Sequence, residues 1–521
     1  MQIENRLIRY LLFVALTLGA GTGCATRSVP AQSVTPLAAL HTELSTIFGA
    51  PAFERSIWGV LIQSVETGET LFAVNPSKLM MPASTMKILT LAASAERLGW
   101  NHTFETRLVT SGIIEGGVLK GDVIAIGSGD PSLGNRVGDG GRVMAAWADE
   151  LWNAGIHAID GRLIGDDNAF DDDGVGAGWS WDDLAYGFAA PVGALAFDEN
   201  AVELAIRPGA VAGDLAEMVL RPVDGGLVVD NHLTTSAPDG DSSLELRRAP
   251  GSARLMVQGA VRLGRPELVQ TVSVDNPTDF FLAAMQRALS ARGITISGAI
   301  VDIDSVTPPP DTRTTRTLVS HRSPPLTELA MPLMKVSRNL YGETLLKSLT
   351  TEDGRTGSVQ SGRDAVVEVL RNWGVSPDSV ILSDGSGLSR YNYVTVETLV
   401  SVLRFLAKNP RHAKSFEETL PVAGRDGTLA NRMKGTIAEG NVHAKTGTIS
   451  NVRAISGYVR TRDNEQLAFS IIANNSIAAP AEIDRATDLA LERLAGFSRK
   501  EGSRVLGFQG SKASGVRTLE P

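Results

Sequence analysis

The stretch Pro82-Ala83-Ser84-Thr85-Met86-Lys87-Ile88-Leu89-Thr90 decides the fold and carries the strongest chemical signal in the chain. Pro82 predicts a helix start, and apolar residues continue to a stop at Gly99. Ser84 and Lys87 are three residues apart, so on one helical turn they share a face. A partly desolvated lysine there can take the serine's proton, because burial lowers the pKa of lysine. On this stretch alone, an ordinary helix with an exposed serine and lysine remains the simpler interpretation.

Composition limits the class of protein. At 521 residues the chain is long enough for several domains with a large core. Hydrophobic residues make up 43% of the sequence and charged residues 21%, as is usual for a globular protein. The formal net charge of −9 is spread without long runs, so nothing points to nucleic-acid binding.

The N-terminus predicts export. Arg6 and Arg9 precede a short apolar run, residues 10–20, and small residues lead to Cys24, so residues 1–24 form a predicted signal peptide. Cys24 is the only cysteine, which excludes an internal disulfide. Its position resembles a bacterial lipoprotein site, although Gly21 stands where such sites usually have an aliphatic residue. Lipidation of Cys24 and plain secretory cleavage both stay open, and either predicts a periplasmic or cell-envelope protein.

Two predicted hairpins frame the chain. After a polar linker at residues 25–36, strands at 58–64 and 70–74 form a hairpin directly before Ser84. A second hairpin, at 453–460 and 466–474, precedes a closing helix at 480–494 and a Gly/Ser/Lys-rich tail that we expect to be disordered. We predict that the two hairpins pair in one sheet, which would make the segment between Gly99 and Pro308 an insertion.

The inserted segment contains two ambiguous stretches. The acidic cluster at residues 166–173 lacks the order of an EF-hand loop, so we favour a solvated turn over a calcium site. The loop at residues 179–191 carries four aromatics and two adjacent carboxylates, which suits a recognition surface and core packing equally well. A Gly-rich loop at residues 127–134 lacks the pattern of a nucleotide-binding loop and is interpreted as a tight turn. Short apolar runs separated by turns predict a small all-β unit at residues 201–272.

Three further motifs change the interpretation of Ser84. Ser337 and Asn339 are two apart, where a turn can aim both side chains at one point. Lys445-Thr446-Gly447-Thr448 precedes a predicted strand and offers a cation, a hydroxyl and a glycine that permits close backbone approach. A Gly-rich loop at residues 384–390 ends in Arg390. Together, Ser-x-x-Lys, Ser-x-Asn and Lys-Thr-Gly in this order indicate an active-site serine penicillin-recognising enzyme.

With these motifs, the chain resembles the bacterial D-alanyl-D-alanine carboxypeptidase/endopeptidases of the low-molecular-mass class C penicillin-binding proteins. Lys87 and Ser337 are 250 positions apart, and that family is marked by a large two-domain insertion between its first two motifs. The resemblance runs from about residue 37 to 498. It implies an α/β (α+β) fold: a β-lactamase-like domain, with an antiparallel sheet flanked by helices, and a two-domain insertion whose inner part is all-β. The implied division is a peptidase domain (37–97 plus 309–498), an inserted domain (98–200 plus 273–308), a nested β domain (201–272) and a tail (499–521).

The resemblance also implies roles for the motif residues. Ser84 would attack the carbonyl between two D-alanines and form an acyl-enzyme, with Lys87 as the base. Ser337 would relay a proton to the leaving nitrogen with Lys445 nearby, and Asn339 would hold the substrate amide. Further implied contacts are the oxyanion hole at the backbone N–H groups of Ser84 and Thr448, and substrate binding by Lys445, Thr446, Gly447 and Thr448.

The family further implies a subsite for the diamino-acid side chain of a peptidoglycan stem peptide. Asp183, Phe188 and Arg390 match it, and Asp182 competes with Asp183 for the acidic role. Neither a cofactor nor a metal is implied. His443 is interpreted as a packing or supporting group, since no Ser/His/Asp set is evident.

Competing functions stay open at this point. A β-lactamase would need a water-activating carboxylate for deacylation, and the sequence identifies none. A penicillin-binding sensor or wall-binding protein would acylate without turnover. The expected ligands are peptidoglycan stem peptides and β-lactams, which trap the enzyme as a slowly hydrolysed acyl-enzyme, and membrane attachment would depend on a lipid on Cys24.

Overall fold

A computed structural model describes residues 35–134, 140–222, 225–351 and 355–500. The predicted signal peptide, Cys24 and nearly all of the predicted linker lie outside these residues, as does the predicted tail beyond Lys500. Within the described ranges, no helix combines the length and the hydropathy needed to cross a membrane.

In chain order, the α-helices of the described residues are α1 (Pro36–Phe48), α2 (Lys87–Arg97), α3 (Gly140–Asn153), α4 (Pro277–Arg292), α5 (Leu326–Lys335), α6 (Asn339–Ser348), α7 (Val359–Asn372), α8 (Val396–Lys408), α9 (Ala413–Thr419) and α10 (Pro480–Ala495). A 3-10 helix, Ala83–Met86, leads directly into α2. The strands are β1 (Ile57–Ser64), β2 (Thr70–Val74), β3 (Glu105–Thr110), β4 (Ile113–Glu115), β5 (Val118–Lys120), β6 (Val123–Ile126), β7 (Ala158–Asp160), β8 (Leu163–Asp166), β9 (Ala201–Arg207), β10 (Glu217–Arg221), β11 (Val228–Ser236), β12 (Ser243–Arg247), β13 (Arg254–Arg262), β14 (Leu268–Ser273), β15 (Thr295–Ile296), β16 (Ile300–Asp302), β17 (Arg316–Arg322), β18 (Val380–Ile381), β19 (Tyr393–Val394), β20 (His443–Ile449), β21 (Val452–Arg460) and β22 (Gln466–Asn474).

A five-stranded antiparallel sheet in the order β2-β1-β22-β21-β20 forms the frame of the molecule. Strand β1 pairs with β22 along its whole length, from Ile57 opposite Asn474 to Ser64 opposite Leu467. The predicted pairing of the two hairpins is therefore confirmed. Strand β20 forms one edge of this sheet, so part of its backbone remains available for other partners.

Helices cover both faces of this sheet. One apolar cluster joins the sheet to α2, α5, α6, α7 and α8, and another joins its opposite face to α1 and α10. Every residue of α2 from Lys87 to Ala95 is buried, as expected for a helix surrounded by other elements on all sides. The resulting arrangement, an antiparallel sheet between helical layers, is the predicted fold class.

The segment between α2 and α5 adds four more sheets. Two of them, with orders β15-β7-β5-β4 and β16-β8-β6-β3-β17, are mixed. The other two lie within the predicted nested unit: β10-β9-β14 is antiparallel and β11-β13-β12 is mixed. Strand β17 follows the predicted boundary at residue 308, yet it pairs with β3 inside this segment. One apolar cluster includes residues from both the nested strands and the surrounding elements, for example Leu204, Leu108 and Phe281. The domain division therefore stays a prediction.

The acidic cluster differs from the solvated turn that its composition predicts. Asp171 accepts a hydrogen bond from the Nζ of Lys347 at 2.5 Å, and the Lys347 side chain is only 1% exposed. The same Nζ also donates to the backbone carbonyls of Asp171 and Asp173. Because a buried ammonium needs acceptors around it, this turn binds the inserted segment to α6.

Candidate active site

Ser84 lies directly before the buried helix α2. The sequence predicted an α-helical turn at this position, and the structure has a different one. Ser84 belongs to the 3-10 helix Ala83–Met86, and Ala83 has a left-handed φ of 46°. Such backbone strain in a non-glycine residue costs energy and is found mostly at functional sites. The Ser84 side chain is partly exposed, whereas its chain neighbours Ala83 and Thr85 are buried.

The buried amine of Lys87 contacts the Ser84 hydroxyl. Its Nζ lies 3.0 Å from the Ser84 Oγ and also donates to the Asn339 Oδ1 and the Ser386 carbonyl, each at 2.7 Å. Burial lowers the pKa of Lys87 to about 7, although the carboxylates of Asp384 and Glu343 favour its protonated form. Near neutral pH a large share of this amine is therefore unprotonated and able to accept a proton.

A second lysine–serine pair faces the cleft. The Lys445 Nζ donates to the Ser337 Oγ at 2.8 Å and to the Thr446 carbonyl at 2.7 Å. Burial and, after it, the positive charge of Lys87 lower the pKa of Lys445 well below its ordinary value. Ser337 lies between α5 and α6 with a left-handed φ of 65°, which is uncommon for a residue other than glycine.

Asn339 connects the lysine to the inserted segment. Its Oδ1 accepts from Lys87, and its Nδ2 donates to the Phe188 backbone carbonyl at 2.8 Å. These two partners fix the orientation of the amide, because oxygen and nitrogen cannot exchange places without losing both bonds. The predicted Ser-x-Asn turn thus brings Ser337 and Asn339 to the same cleft as Ser84.

The Lys-Thr-Gly motif precedes strand β21, as predicted, but it also lies inside a strand of its own, β20. A Cβ at position 447 would lie 2.7 Å from the Pro82 carbonyl oxygen and 3.1 Å from the Ser84 nitrogen, so only glycine allows this approach. The Thr446 hydroxyl bonds to the Thr428 hydroxyl at 2.7 Å, and Thr448 is exposed on the edge strand. The motif borders the backbone N–H of Ser84.

One cleft of about 800 Å³ is lined by Ser84, Ser337, Asn339, Thr446 and Thr448. The residues of the predicted diamino-acid subsite contribute to it unequally. Asp183 and Phe188 line the cleft, and Phe188 is 48% exposed. Burial and the adjacent Asp182 raise the pKa of Asp183, an effect that Arg390 opposes. Asp182 is exposed and bonds to Ser180, outside the lining. The Arg390 Nη1 lies 3.4 Å from the Ser450 carbonyl, at a residue that lines the cleft.

The aromatic loop forms both packing and surface, so neither alternative alone describes it. The Trp179 Nε1 donates to the buried Asp384 at 2.9 Å, whereas Trp181 is 62% exposed.

The His443 Nδ1 lies 3.2 Å from a Glu417 carboxylate oxygen, and His443 does not line the cleft.

Two buried carboxylates near Lys87 were missed by sequence reasoning. Glu343 binds the backbone N–H groups of Gly385 and Ser386, and Asp384 binds those of Gly387 and Ser389. Glu343 follows Asn339 by four residues on one helix face, which is the signal that could have revealed it. Within the described residues, no group of three or more His, Cys, Asp or Glu side chains is arranged to hold a metal ion.

The arrangement is suited to acyl transfer. A partly exposed hydroxyl lies beside an amine of lowered pKa, and a second hydroxyl–amine pair shares the cleft. The backbone of an edge strand lies next to the nucleophile, where N–H groups can stabilise an oxyanion.

Comparison with known proteins gives a consistent result. The family model described as "D-Ala-D-Ala carboxypeptidase 3 (S13) family" matches residues 40–494. A D-alanyl-D-alanine carboxypeptidase of Actinomadura sp. is 34% identical over 482 residues, which are 90% of this chain and 87% of the relative. The D-alanyl-D-alanine carboxypeptidase DacB of Haemophilus influenzae is 30% identical over 80% of this chain and 85% of its own.

Solved structures agree with the sequence comparisons. The crystal structure of penicillin binding protein 4 (dacB) from Haemophilus influenzae has a TM-score of 0.77 and 28% identity, and covers 87% of this chain and 99% of that one. A second structure of that protein, complexed with a β-lactam, has a TM-score of 0.72 and 27% identity, and covers 87% of this chain and 97% of that one.

Proposed function

This chain belongs to the D-Ala-D-Ala carboxypeptidase 3 (S13) family, and we propose that it is a serine-type D-Ala-D-Ala carboxypeptidase of peptidoglycan. It acts through an acyl-enzyme on Ser84 and is inhibited by β-lactams. The observation that carries this proposal is the 3.0 Å contact between the Lys87 Nζ and the Ser84 Oγ at the floor of the cleft.

Acylation begins with proton transfer from Ser84 to neutral Lys87. The Ser84 oxygen then attacks the carbonyl between the two D-alanines, and the backbone N–H groups of Ser84 and Thr448 stabilise the oxyanion, each worth about 3 kcal/mol. Ser337, hydrogen-bonded to Lys445, gives its hydroxyl proton to the leaving nitrogen, and the proton that Lys87 took from Ser84 replaces it, so that both groups end the step as they began. The C–N bond breaks, D-alanine leaves, and the acyl group remains on Ser84.

Water completes the cycle by hydrolysing the ester, which regenerates the serine hydroxyl. A β-lactam enters the same path, but the opened ring keeps its leaving nitrogen tethered to the acyl group. The acyl-enzyme then persists because deacylation is slow. A β-lactamase would need a carboxylate that activates water at this last step. The two buried carboxylates near Lys87 instead bind backbone N–H groups of one loop.

Substrate binding uses both walls of the cleft. Thr446 and Lys445 bind the terminal carboxylate of the D-Ala-D-Ala tail, with Gly447 and Thr448 along its backbone, and Asn339 binds the substrate amide. On the other wall, Asp183 pairs with the ammonium and Arg390 with the carboxylate of a diamino-acid side chain that packs on Phe188. Asp183 is preferred to Asp182 because it lines the cleft.

Turnover of a defined peptide tests the function. A peptide ending in D-Ala-D-Ala should release free D-alanine continuously, and a cross-linked dimeric stem peptide tests endopeptidase cleavage of the same bond type. A single burst followed by no further release would contradict the carboxypeptidase and indicate a sensor. Rapid hydrolysis of benzylpenicillin without a surviving adduct would favour the β-lactamase.

We further propose that the protein is exported and carries a lipid on Cys24. The support is the charged, then apolar, then small-residue pattern of residues 1–24. Cys24→Ser is expected to move the protein from the membrane fraction to the soluble envelope fraction, as measured by fractionation and intact mass. A wild-type protein that is soluble, and whose mature chain lacks the lipid, would contradict lipidation and leave export intact.

A further inference from the structure

A buried carboxylate lies behind the loop that binds Lys87. Glu343 is 2% exposed and lies in α6, one helical turn after Asn339. Its Oε2 accepts the N–H of Gly385 at 2.9 Å, and its Oε1 accepts the N–H of Ser386 at 2.8 Å. Both oxygens therefore bind consecutive backbone groups of one loop.

That loop provides an acceptor for the catalytic amine. The Ser386 carbonyl accepts from the Lys87 Nζ at 2.7 Å, so Ser386 is bound by Glu343 at its nitrogen and by Lys87 at its oxygen. The neighbouring Gly385 carbonyl accepts from the Thr90 hydroxyl of α2 at 2.7 Å. The loop is thus held between α6 and α2, with Glu343 on one side and Lys87 on the other.

We propose that Glu343 is a positioning residue for Lys87: its carboxylate fixes the Gly385–Ser386 backbone so that the Ser386 carbonyl directs the amine toward Ser84. The inference rests on the proposed function of Ser84 and Lys87. Glu343 does not touch the substrate, and it acts through the loop. A displacement of about 1 Å at a reacting group can cost about a hundredfold in rate, which makes such support important.

The charge of Glu343 has a separate, measurable effect. The charged groups that face this site are Lys87 from α2 and Asp384 from the loop, while Lys445 faces Lys87 across the cleft. Burial and the charge of Asp384 raise the pKa of Glu343 to about 7. Because the Glu343 charge raises the pKa of Lys87, its removal should lower that pKa further.

The test is the second-order rate of acylation by benzylpenicillin across pH, measured on the mature protein with Glu343→Gln. The amide cannot accept both N–H groups, so we expect the maximal rate to fall about tenfold or more. We also expect the acidic limb of the pH profile to move to lower pH. A wild-type maximal rate, or an acidic limb that stays in place, would overturn the proposal.

Two further variants separate position from charge and from loop stability. Glu343→Asp keeps the charge but is one methylene shorter, so we expect a reduced rate with the acidic limb unmoved. If Glu343→Gln fails to fold, Glu343→Asp alone serves as the test. A wild-type acylation rate in Glu343→Asp would then overturn the proposal. Thr90→Val removes a different bond to the loop, at the Gly385 carbonyl, and an equal loss of rate there would also count against a specific role of Glu343. A wild-type protein that is not acylated at all would instead contradict the proposed function.

Discussion

At the residue scale, desolvation is what turns two lysines into usable proton carriers. Both Lys87 and Lys445 have fully buried side chains, and burial favours the neutral amine in each. Two carboxylates near Lys87 oppose this effect, so its pKa stays about 7 and does not fall further. The positive charge of Lys87 lowers the pKa of Lys445 in addition to burial.

A pH profile tests this account of Lys87. The base must be unprotonated, and protonation below a pKa of about 7 removes it. The acylation rate of Ser84 should therefore be constant on the alkaline side and fall about tenfold per pH unit on the acid side. Stopped-flow or quenched acylation by benzylpenicillin measures it, and a flat profile from about pH 8 to about pH 5 would contradict Lys87 as the base.

Local spacing was enough to predict the residues that lie within one turn of each other. Ser84 with Lys87, and Ser337 with Asn339, could be found because short spacing fixes their mutual geometry. The spacing of Glu343 from Asn339 could place it near the site, but its role could not be predicted, because its partners lie about forty positions away in a loop whose path the sequence does not specify.

At the element scale, the site depends on how closely β20 approaches the 3-10 helix that carries Ser84. Two glycines permit close packing against this helix, Gly447 from β20 and Gly387 from the loop at residues 384–390. A Cβ at Gly447 would meet the Pro82 carbonyl at 2.7 Å, and one at Gly387 would meet the Ala83 carbonyl at 1.9 Å. In both cases the obstacle is backbone, which cannot move aside as a flexible side chain can.

Gly447→Ala should therefore damage catalysis more than stability. The added methyl pushes β20 away from Ser84 and opens the proposed oxyanion hole, so we expect the acylation rate to fall about a hundredfold. Gly496→Ala is a matched control, because its nearest Cβ contact is 3.2 Å and it lies after α10, away from the cleft. An acylation rate of Gly447→Ala equal to that of the control would show that the close approach is unimportant.

Element type was predictable, and element boundaries near the site were not. Strands β2 and β22 match the predicted ranges in full. The 3-10 turn at Ser84 was missed, because a 3-10 and an α-helical turn differ in hydrogen bonding and not in residue pattern. The position of Lys445 inside β20 was missed, because the Lys-Thr-Gly-Thr residues lack the alternating apolar pattern that predicts a strand. Strands β4 and β7, of three residues each, and α9 had no clear pattern of their own.

At the scale of the whole molecule, the inserted segment is part of the active site's support. Polar contacts join it to the motif elements: Asn339 to the Phe188 carbonyl, Trp179 to Asp384, Arg338 to Glu199, and Lys347 to Asp171. The Arg338–Glu199 contact, at 3.1 Å, gives the variable position of the Ser-x-Asn motif a role in attachment.

Lys347→Met tests how much this junction contributes to stability. Methionine keeps the apolar stem but removes the ammonium that three buried or half-buried acceptors share, so we expect a loss of about 2–4 kcal/mol. Urea unfolding measures it. Lys120→Met is the matched control, because Lys120 makes a single ion pair at the surface and should leave the transition almost unchanged. Equal midpoints for the two variants would contradict a structural role of the junction.

The architecture could be predicted as far as it depends on motif spacing and hairpin patterns. The 250 positions between Lys87 and Ser337 indicated the insertion, and the hairpins indicated the central sheet. The return of β17 to the inserted sheet was not foreseen, because the Pro-rich stretch at residues 308–310 suggested a boundary. Arg499, assigned to the disordered tail, instead binds Glu465 at 2.8 Å.

The most direct test of the central claim is intact-mass spectrometry of the mature protein, with and without benzylpenicillin. We expect one stable adduct per wild-type chain, mapping to Ser84, and none on Ser84→Ala. Ser94→Ala, a serine on the same side of the sheet but within α2, should label like the wild type. An adduct that persists on Ser84→Ala, or the absence of any adduct on the wild type, would contradict a Ser84 acyl-enzyme.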